Sequence, residues 1–211
     1  TTAHTLSLHD ALPISANLFG LKEFGNIYSR LGNPTVGALE ARLTALEDGA
    51  MCVALSSGTS AVMYSLINIM SQGDNFVTAN QLYGGTYTMF DNILPEYGIN
   101  SKKVDITDFE AVESAIDEKT RAIYCETITN PGLVVADISA LADIAHSKGI
   151  PLIVDATFTT SAILKPFEFG ADIVVYSLTK WMSGHGRVIA GAVIEKGGFD
   201  WGNGNFPLYD K

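Results

Sequence analysis

Lys180 stands just past an apolar run, Ile173 to Tyr176, between the hydroxyls of Ser177 and Thr179 and a Gly-His-Gly turn at 184–186. A lysine where a buried strand emerges is partly desolvated, which lowers its pKa and lets the amine attack a carbonyl. The ordinary alternative is a solvated lysine. Three other places carry related chemistry. In Ser56-Ser57-Gly58-Thr59-Ser60 a glycine lies where a strand becomes a helix, so backbone N–H groups and the helix dipole favour an anion, typically phosphate. Alone, the same pattern is a helix cap. Asp155 closes the apolar stretch PLIVD, where a carboxylate needs a cation or a donor. A protonated ring nitrogen meets that need, and so do nearby backbone N–H groups. Tyr83, followed by Gly84-Gly85, can stack on a flat ring or simply pack.

Two phosphate motifs are excluded. No Gly-Lys-Ser/Thr follows the SSGTS turn at P-loop spacing, and GHGRVIAG lacks the third glycine of a dinucleotide fingerprint. An amine nucleophile, an anion cradle, a ring-nitrogen carboxylate and a stacking tyrosine together match one small molecule with an aldehyde, a pyridine nitrogen and a phosphate. That molecule is pyridoxal 5′-phosphate (PLP), with Lys180 holding it as a Schiff base.

These residues need elements that bring them together. Asn33-Pro34 opens a helix with Val36, Leu39, Leu43 and Leu46 as its apolar stripe and Gly49 as its stop. MCVAL (51–55) is a strand that turns straight into a helix, and NFVTA (75–79) is a strand before a helix near Thr86–Leu94. Thr107 and Glu110 make a capping box for the helix that follows. RAIYCE (121–126) is a strand, followed by the helix ISALADIAHSKG ending at Gly149, and PLIVDA (151–156) and DIVVYS (172–177) are continuous apolar strands. A strand-like AGAVIE comes last. The alternation predicts an α/β fold, one mostly parallel sheet with helices on both faces. Ligands of such sheets bind beyond the carboxyl ends of the strands. One edge would then collect Ser57-Gly58-Thr59, Tyr83, Glu126 to Asn130, Asp155, and Ser177 with Thr179 and Lys180.

Composition narrows the class. The chain has 211 residues with 23 acidic against 13 basic, a formal charge of −10, and no basic cluster, which argues against a nucleic-acid surface. No apolar run approaches bilayer-spanning length, so a membrane partner is not expected and a cytoplasmic protein is. Cys52 and Cys125 sit in apolar strands and read as buried free thiols; His4, His9, His146 and His185 show no ligand spacing, so no metal is expected. The opening TTAHTLSLHDALPIS lacks periodicity and the form of a secretory signal. Residues 1–15 read as non-native, adapter-like sequence or as a disordered arm, and 16–211 as a cofactor domain incomplete at its C-terminal end.

Several motifs in order, FGLKEFGNIYSRLGNPT, LSSGTSAV, LYGGTY, ETITNP, PLIVDATF and SLTKWMSGHG, resemble the Cys/Met-metabolism family of PLP-dependent enzymes over about residues 16–211. FGLKEFGNIYSR, LYGGTY and KGGFDW are most similar to its O-acetylhomoserine sulfhydrylases. The resemblance implies the fold type I, aspartate-aminotransferase-like large domain, with a C-terminal small domain absent. It implies Lys180 as Schiff-base lysine and proton shuttle, Asp155 on the pyridine nitrogen, and Gly58, Thr59, Ser177 and Thr179 on the phosphate beside Ser57. Tyr83 stacks on the ring and protonates a leaving group, Glu126 and Asn130 lie on its 3′-oxygen side, and Thr157 completes the set. Tyr28 and Arg30 would reach the phosphate of a neighbouring subunit, which implies a homo-oligomer, usually a dimer of dimers. The implied reaction is γ-replacement on O-acetylhomoserine by sulfide or a thiol, giving homocysteine or methionine. Alternatives are methionine γ-lyase, cystathionine γ-synthase or lyase, and a PLP-binding fragment without activity. Cysteine after Tyr-Gly is typical of methionine γ-lyases, whereas Gly85 stands here. Two positions depart from the pattern: Ala156, where asparagine is common, puts a contact near the ring in doubt, and Arg187 replaces a small polar residue.

Overall fold

The computed structural model describes residues 16–209 apart from 21 and 24. The expectation of a non-native or disordered stretch at 1–15 lies outside the described residues.

Helix α1 (Pro34–Glu47) starts where Asn33 accepts the N–H groups of Thr35 and Val36 and Pro34 presets the first turn. Its apolar stripe is only half used. Leu43 and Glu47 are buried, while Val36 and Leu39 in the first half of the helix stay exposed. The stop comes at Asp48, in the left-handed region at φ 56°, one residue before the expected glycine.

Strand β1 (Met51–Leu55) runs into α2 (Gly58–Ile67), and β2 (Asn75–Ala79) into α3 (Gly84–Thr88). A π turn (Met89–Ile93) and a 3₁₀ turn (Leu94–Tyr97) prolong α3, so the helical stretch starts earlier and ends later than 86–94. Strand β3 (Asn100–Val104) was not legible in the sequence. It lies on the sheet edge and carries Lys102 and Lys103, so it shows no apolar run. Helix α4 (Phe109–Ala115) is capped by Asp108, which accepts from Ala111 N; Thr107 instead donates to Asp105. The expected Thr107–Glu110 box does not form: the Thr107 hydroxyl is taken by Asp105, and the Asp108 carboxylate one residue later caps the helix.

Then follow β4 (Thr120–Glu126), α5 (Ile138–Ser147), β5 (Leu152–Asp155), α6 (Thr160–Ile163), β6 (Ile173–Ser177) and β7 (Gly191–Glu195). The seven strands form one sheet in the order β1-β7-β6-β5-β4-β2-β3. Only β7 runs antiparallel to its neighbours, so the other six point the same way. Consecutive residues of β2, β4, β5 and β6 are buried, which requires cover on both faces. Phe76, Phe90 and Tyr124 pack edge to face at the centre, with ring centroids 4.7 and 5.2 Å apart. Cys52 and Cys125 are buried and free. After β7, Phe199, Trp201 and Phe206 cluster, and Asn203 and Asn205 donate to Gly149 O. No described helix is long and apolar enough to cross a membrane.

Candidate active site

The carboxyl ends of β1, β2, β4, β5 and β6, with the amino end of β7, enclose a cavity of about 650 Å³. Most of the residues expected at those strand ends line it; Thr127 and Thr129, within the stretch from Glu126 to Asn130, are buried beside it. From the first turn come Ser57, Gly58 and Thr59; from the middle strands Tyr83, Glu126, Asn130, Asp155 and Thr157; from the last Ser177, Thr179 and Lys180. Tyr28 and Arg30 do not line it. They lie exposed on a loop before α1, the Arg30 guanidinium 5.0 Å from the centre of the Tyr28 ring.

The cradle between β1 and β6 is built by close approach. Ser57 caps α2, its Oγ accepting from Ser60 N at 3.1 Å, while its carbonyl accepts from Ala61 N. No acceptor among the described residues takes the N–H groups of Gly58 and Thr59, so the helix offers these two to the cavity. A Cβ on Gly58 would sit 2.5 Å from Ser177 Cβ, which is why glycine stands there. Gly191, unremarked in the sequence, is as necessary: a Cβ on it would lie 2.0 Å from Ser57 O. A glycine inside a strand pattern is the signal for such an approach. Thr179 is already engaged, its hydroxyl donating to Ala190 O at 3.2 Å and accepting from Ala190 N at 3.1 Å. Its direct part is to pin the strap 179–190; Ser177 keeps the freer hydroxyl.

Two carboxylates form the floor. Glu126 and Asp155 are register partners at the ends of β4 and β5. Asp155 Oδ1 accepts from Thr157 N at 2.9 Å, and Oδ2 accepts from the Tyr124 hydroxyl at 3.3 Å. Burial raises its pKa against those hydrogen bonds. Glu126, 6% exposed, accepts from Tyr83 N at 2.7 Å through Oε1 and from Asn130 N at 3.1 Å through Oε2. Burial, with the charge of Asp155 adding to it, pushes this carboxyl up to about 7. Two carboxylates held at a proton-hungry floor suit a cationic partner.

Lys180 is exposed within the single chain, so the partial desolvation expected of it is not supplied here. The strap beyond it explains this: Trp181, Gly184 and Gly186 border the cavity yet are themselves exposed. Gly184 and Gly186 adopt φ +66° and +63°, the left-handed backbone that turns the strap. Arg187 is exposed and outside the cavity lining. Ala156 is fully buried with its N–H on Val175 O, and beside it Thr157 Oγ1 accepts from Ser177 N at 2.7 Å. The donor set fits a group with an anionic end at Gly58, Thr59 and Ser177, a cationic ring atom at Asp155 and an electrophilic carbon for Lys180.

Comparison with known proteins agrees. The sequence profile of the family described as Cys/Met metabolism PLP-dependent enzyme matches residues 3–208. The O-acetyl-L-homoserine sulfhydrylase of Leptospira meyeri is 47% identical over 195 residues, covering 92% of this chain and 44% of that protein. The homocysteine synthase of Schizosaccharomyces pombe is 46% identical over 197 residues, 92% of this chain and 46% of that one. The chain thus spans under half the length of these curated relatives. Among solved structures, an O-acetylhomoserine (thiol)-lyase from Campylobacter jejuni, which contains N′-pyridoxyl-lysine-5′-monophosphate, aligns with a TM-score of 0.85 at 41% identity, over 94% of this chain and 49% of that one. A cystathionine γ-lyase from Lactobacillus plantarum aligns with a TM-score of 0.77, also at 41% identity, over 81% of this chain and 44% of that one.

Proposed function

The chain belongs to the Cys/Met-metabolism PLP-dependent enzymes, and from that premise we propose that it is the cofactor-binding part of an O-acetylhomoserine sulfhydrylase. The reaction exchanges the γ-acetoxy group of O-acetylhomoserine for sulfide or a thiol: the Cγ–O bond breaks, a Cγ–S bond forms, and acetate leaves. One observation carries the reading. An amine, two floor carboxylates and a glycine-built anion cradle converge on a single cavity at the carboxyl edge of the sheet.

PLP, when bound, supplies an aldehyde that combines with amino groups and a ring that takes up negative charge from the substrate. The chain's own residues do the rest. Gly58 and Thr59 N–H groups and the Ser177 hydroxyl bind the phosphate, and the end of α2 adds its dipole. Asp155 keeps the ring nitrogen protonated. Lys180 would hold the aldehyde carbon, and its amine would carry protons between the substrate's Cα and the neighbouring carbons. Tyr83 stacks over the ring and protonates the departing acetate. Thr157 holds Ser177 and Asp155 in place.

Gly85 favours sulfhydrylase over methionine γ-lyase. A Cβ there would stand 2.7 Å from the Tyr83 ring, so the cysteine of the lyases would displace this tyrosine. The likeness to a cystathionine γ-lyase keeps that elimination chemistry as the second reading. Tyr28 and Arg30 serve the site of a neighbouring subunit in a cytoplasmic homo-oligomer, a dimer of dimers. Residues 16–211 form the large domain, completed by a C-terminal small domain outside this chain.

Borohydride reduction with PLP, followed by peptide mapping, tests the cofactor. A pyridoxyl group on Lys180, lost in Lys180→Ala, is expected; a folded protein with no modified lysine refutes it. Release of acetate and homocysteine from O-acetylhomoserine plus sulfide by the complete gene product tests the reaction, and 2-oxobutyrate without a sulfur product points to elimination instead.

A further inference from the structure

We propose that Glu126 is a positioning residue, a carboxylate clamp that ties the Tyr83 wall of the cavity to the Asn130 wall and so fixes the spacing between them. The proposal rests on the cofactor reading above. Glu126 Oε1 accepts from Tyr83 N at 2.7 Å and Oε2 from Asn130 N at 3.1 Å. Both contacts are to main chain, so they place the walls whatever rotamers the side chains take. Tyr83 precedes α3 with no side-chain cap of its own. The Glu126 contact therefore fixes where that short helix starts and where the Tyr83 ring, 48% exposed, stands over the cavity. With each oxygen committed to an amide, Glu126 acts on a bound ring through Tyr83 and Asn130.

The clamp needs the ionised form. A carboxylate accepts with both oxygens, whereas a protonated carboxyl gives one of them to its own O–H. Glutamine likewise offers one oxygen and turns an N–H₂ toward the second amide. Glu126 is poised near neutrality by its burial, with its proton affinity pushed up to about 7. The titratable groups around it are Asp155 on β5, Tyr124 and Cys125 on β4 itself, and Tyr83 and Lys180 on the other walls of the cavity. Asp155 is the charged group that raises it further.

The test titrates PLP into cofactor-free complete gene product, wild type and Glu126→Gln, from pH 6 to 8.5, and follows amide exchange by mass spectrometry. The variant is expected to bind PLP about tenfold more weakly at pH 8, the loss of one charge-assisted hydrogen bond. Its affinity should lose the fall toward acid that wild type shows, and the Tyr83 and Asn130 peptides should exchange faster. A wild-type protein that binds no PLP overturns the cofactor reading and the proposal with it. Wild-type binding with an unchanged variant in affinity, pH slope and exchange overturns the clamp alone. Should Glu126→Gln not fold, wild-type protection factors at Tyr83 and Asn130 decide: they should drop between pH 8 and pH 6, and constant values refute the clamp.

Discussion

The N–H of Ser177 donates to Thr157 Oγ1 at 2.7 Å, and the N–H of Thr157 donates in turn to Asp155 Oδ1 at 2.9 Å. One threonine thus joins the end of β6, where the anion cradle begins, to the carboxylate that ends β5. The two poles of the proposed cofactor site are held at a fixed distance through it.

Thr157→Val removes the acceptor while nearly keeping the shape, and leaves the Ser177 N–H without its partner. A part-buried donor left unsatisfied costs about 1–3 kcal/mol. Denaturant unfolding should show that loss, and PLP affinity should fall about tenfold or more. Thr157→Ser, which keeps the hydroxyl, should recover most of both. Equal behaviour of the valine and serine variants would place no weight on this bond.

The paired floor carboxylates make a prediction about pH with a definite sign. Glu126 moves from the ordinary 4.5 to about 7 on folding, so between those values the folded chain holds a proton that the unfolded chain has released. Cofactor-free protein should therefore lose stability as pH rises from 5 to 7.5, by at most roughly 3 kcal/mol from this group. Asp155, also raised, adds in the same direction. Unfolding midpoints across that range check it, with Glu126→Gln flattening the curve. A stability that climbs with pH in both proteins would contradict the assignment.

The parts of this fold that the sequence made legible are those whose residues answer to one local rule. Strand β1 is an unbroken apolar run, and β1 and β2 both keep the bounds that MCVAL and NFVTA show in the sequence. Asn33, the SSGTS turn and Gly149 work through their immediate neighbours. What escaped depends on distant partners. Strand β3 exists because β2 offers it an edge, and its lysines obey the edge and not a core. On the α1 stripe Leu43 is buried and Val36 and Leu39 are not, which no periodicity encodes. At the site, residue types at strand ends gave the chemistry, because a parallel sheet gathers those ends. The Glu126 contacts to Tyr83 and Asn130 and the need for glycine at 191 required coordinates.

Two glycines should respond in opposite ways to alanine. At Gly191 a Cβ would stand 2.0 Å from the main-chain oxygen of Ser57, so the cradle turn must withdraw. Overpacking against backbone costs about 3 kcal/mol, and the displaced Gly58 and Thr59 amides should weaken phosphate and PLP binding. At Gly37, inside α1, nothing lies within 4 Å of the added carbon, and alanine should stabilise by about 0.5–1 kcal/mol through helix propensity. Thermal unfolding of both variants checks the pair. A Gly191→Ala protein as stable and as tight for PLP as wild type would mean that the approach of Ser57 to β7 is not needed.

Tyr28 and Arg30 are the proposed site residues that stand away from their own chain's cavity, on the loop before α1, with the guanidinium resting over the phenol ring. If they serve a neighbour, defects at Arg30 and at Lys180 belong to different subunits of one site. In a dimer of Arg30→Ala with Lys180→Ala, one site carries both defects and the other carries neither. Each variant alone should be nearly inactive, and a mixture allowed to exchange subunits should regain about a quarter of wild-type activity, since half the dimers are mixed and half their sites intact. Activity of the complete gene product, measured before and after exchange, reads this directly. If the mixture stays as inactive as its components while mass spectrometry shows that subunits have exchanged, Arg30 does not act across the interface.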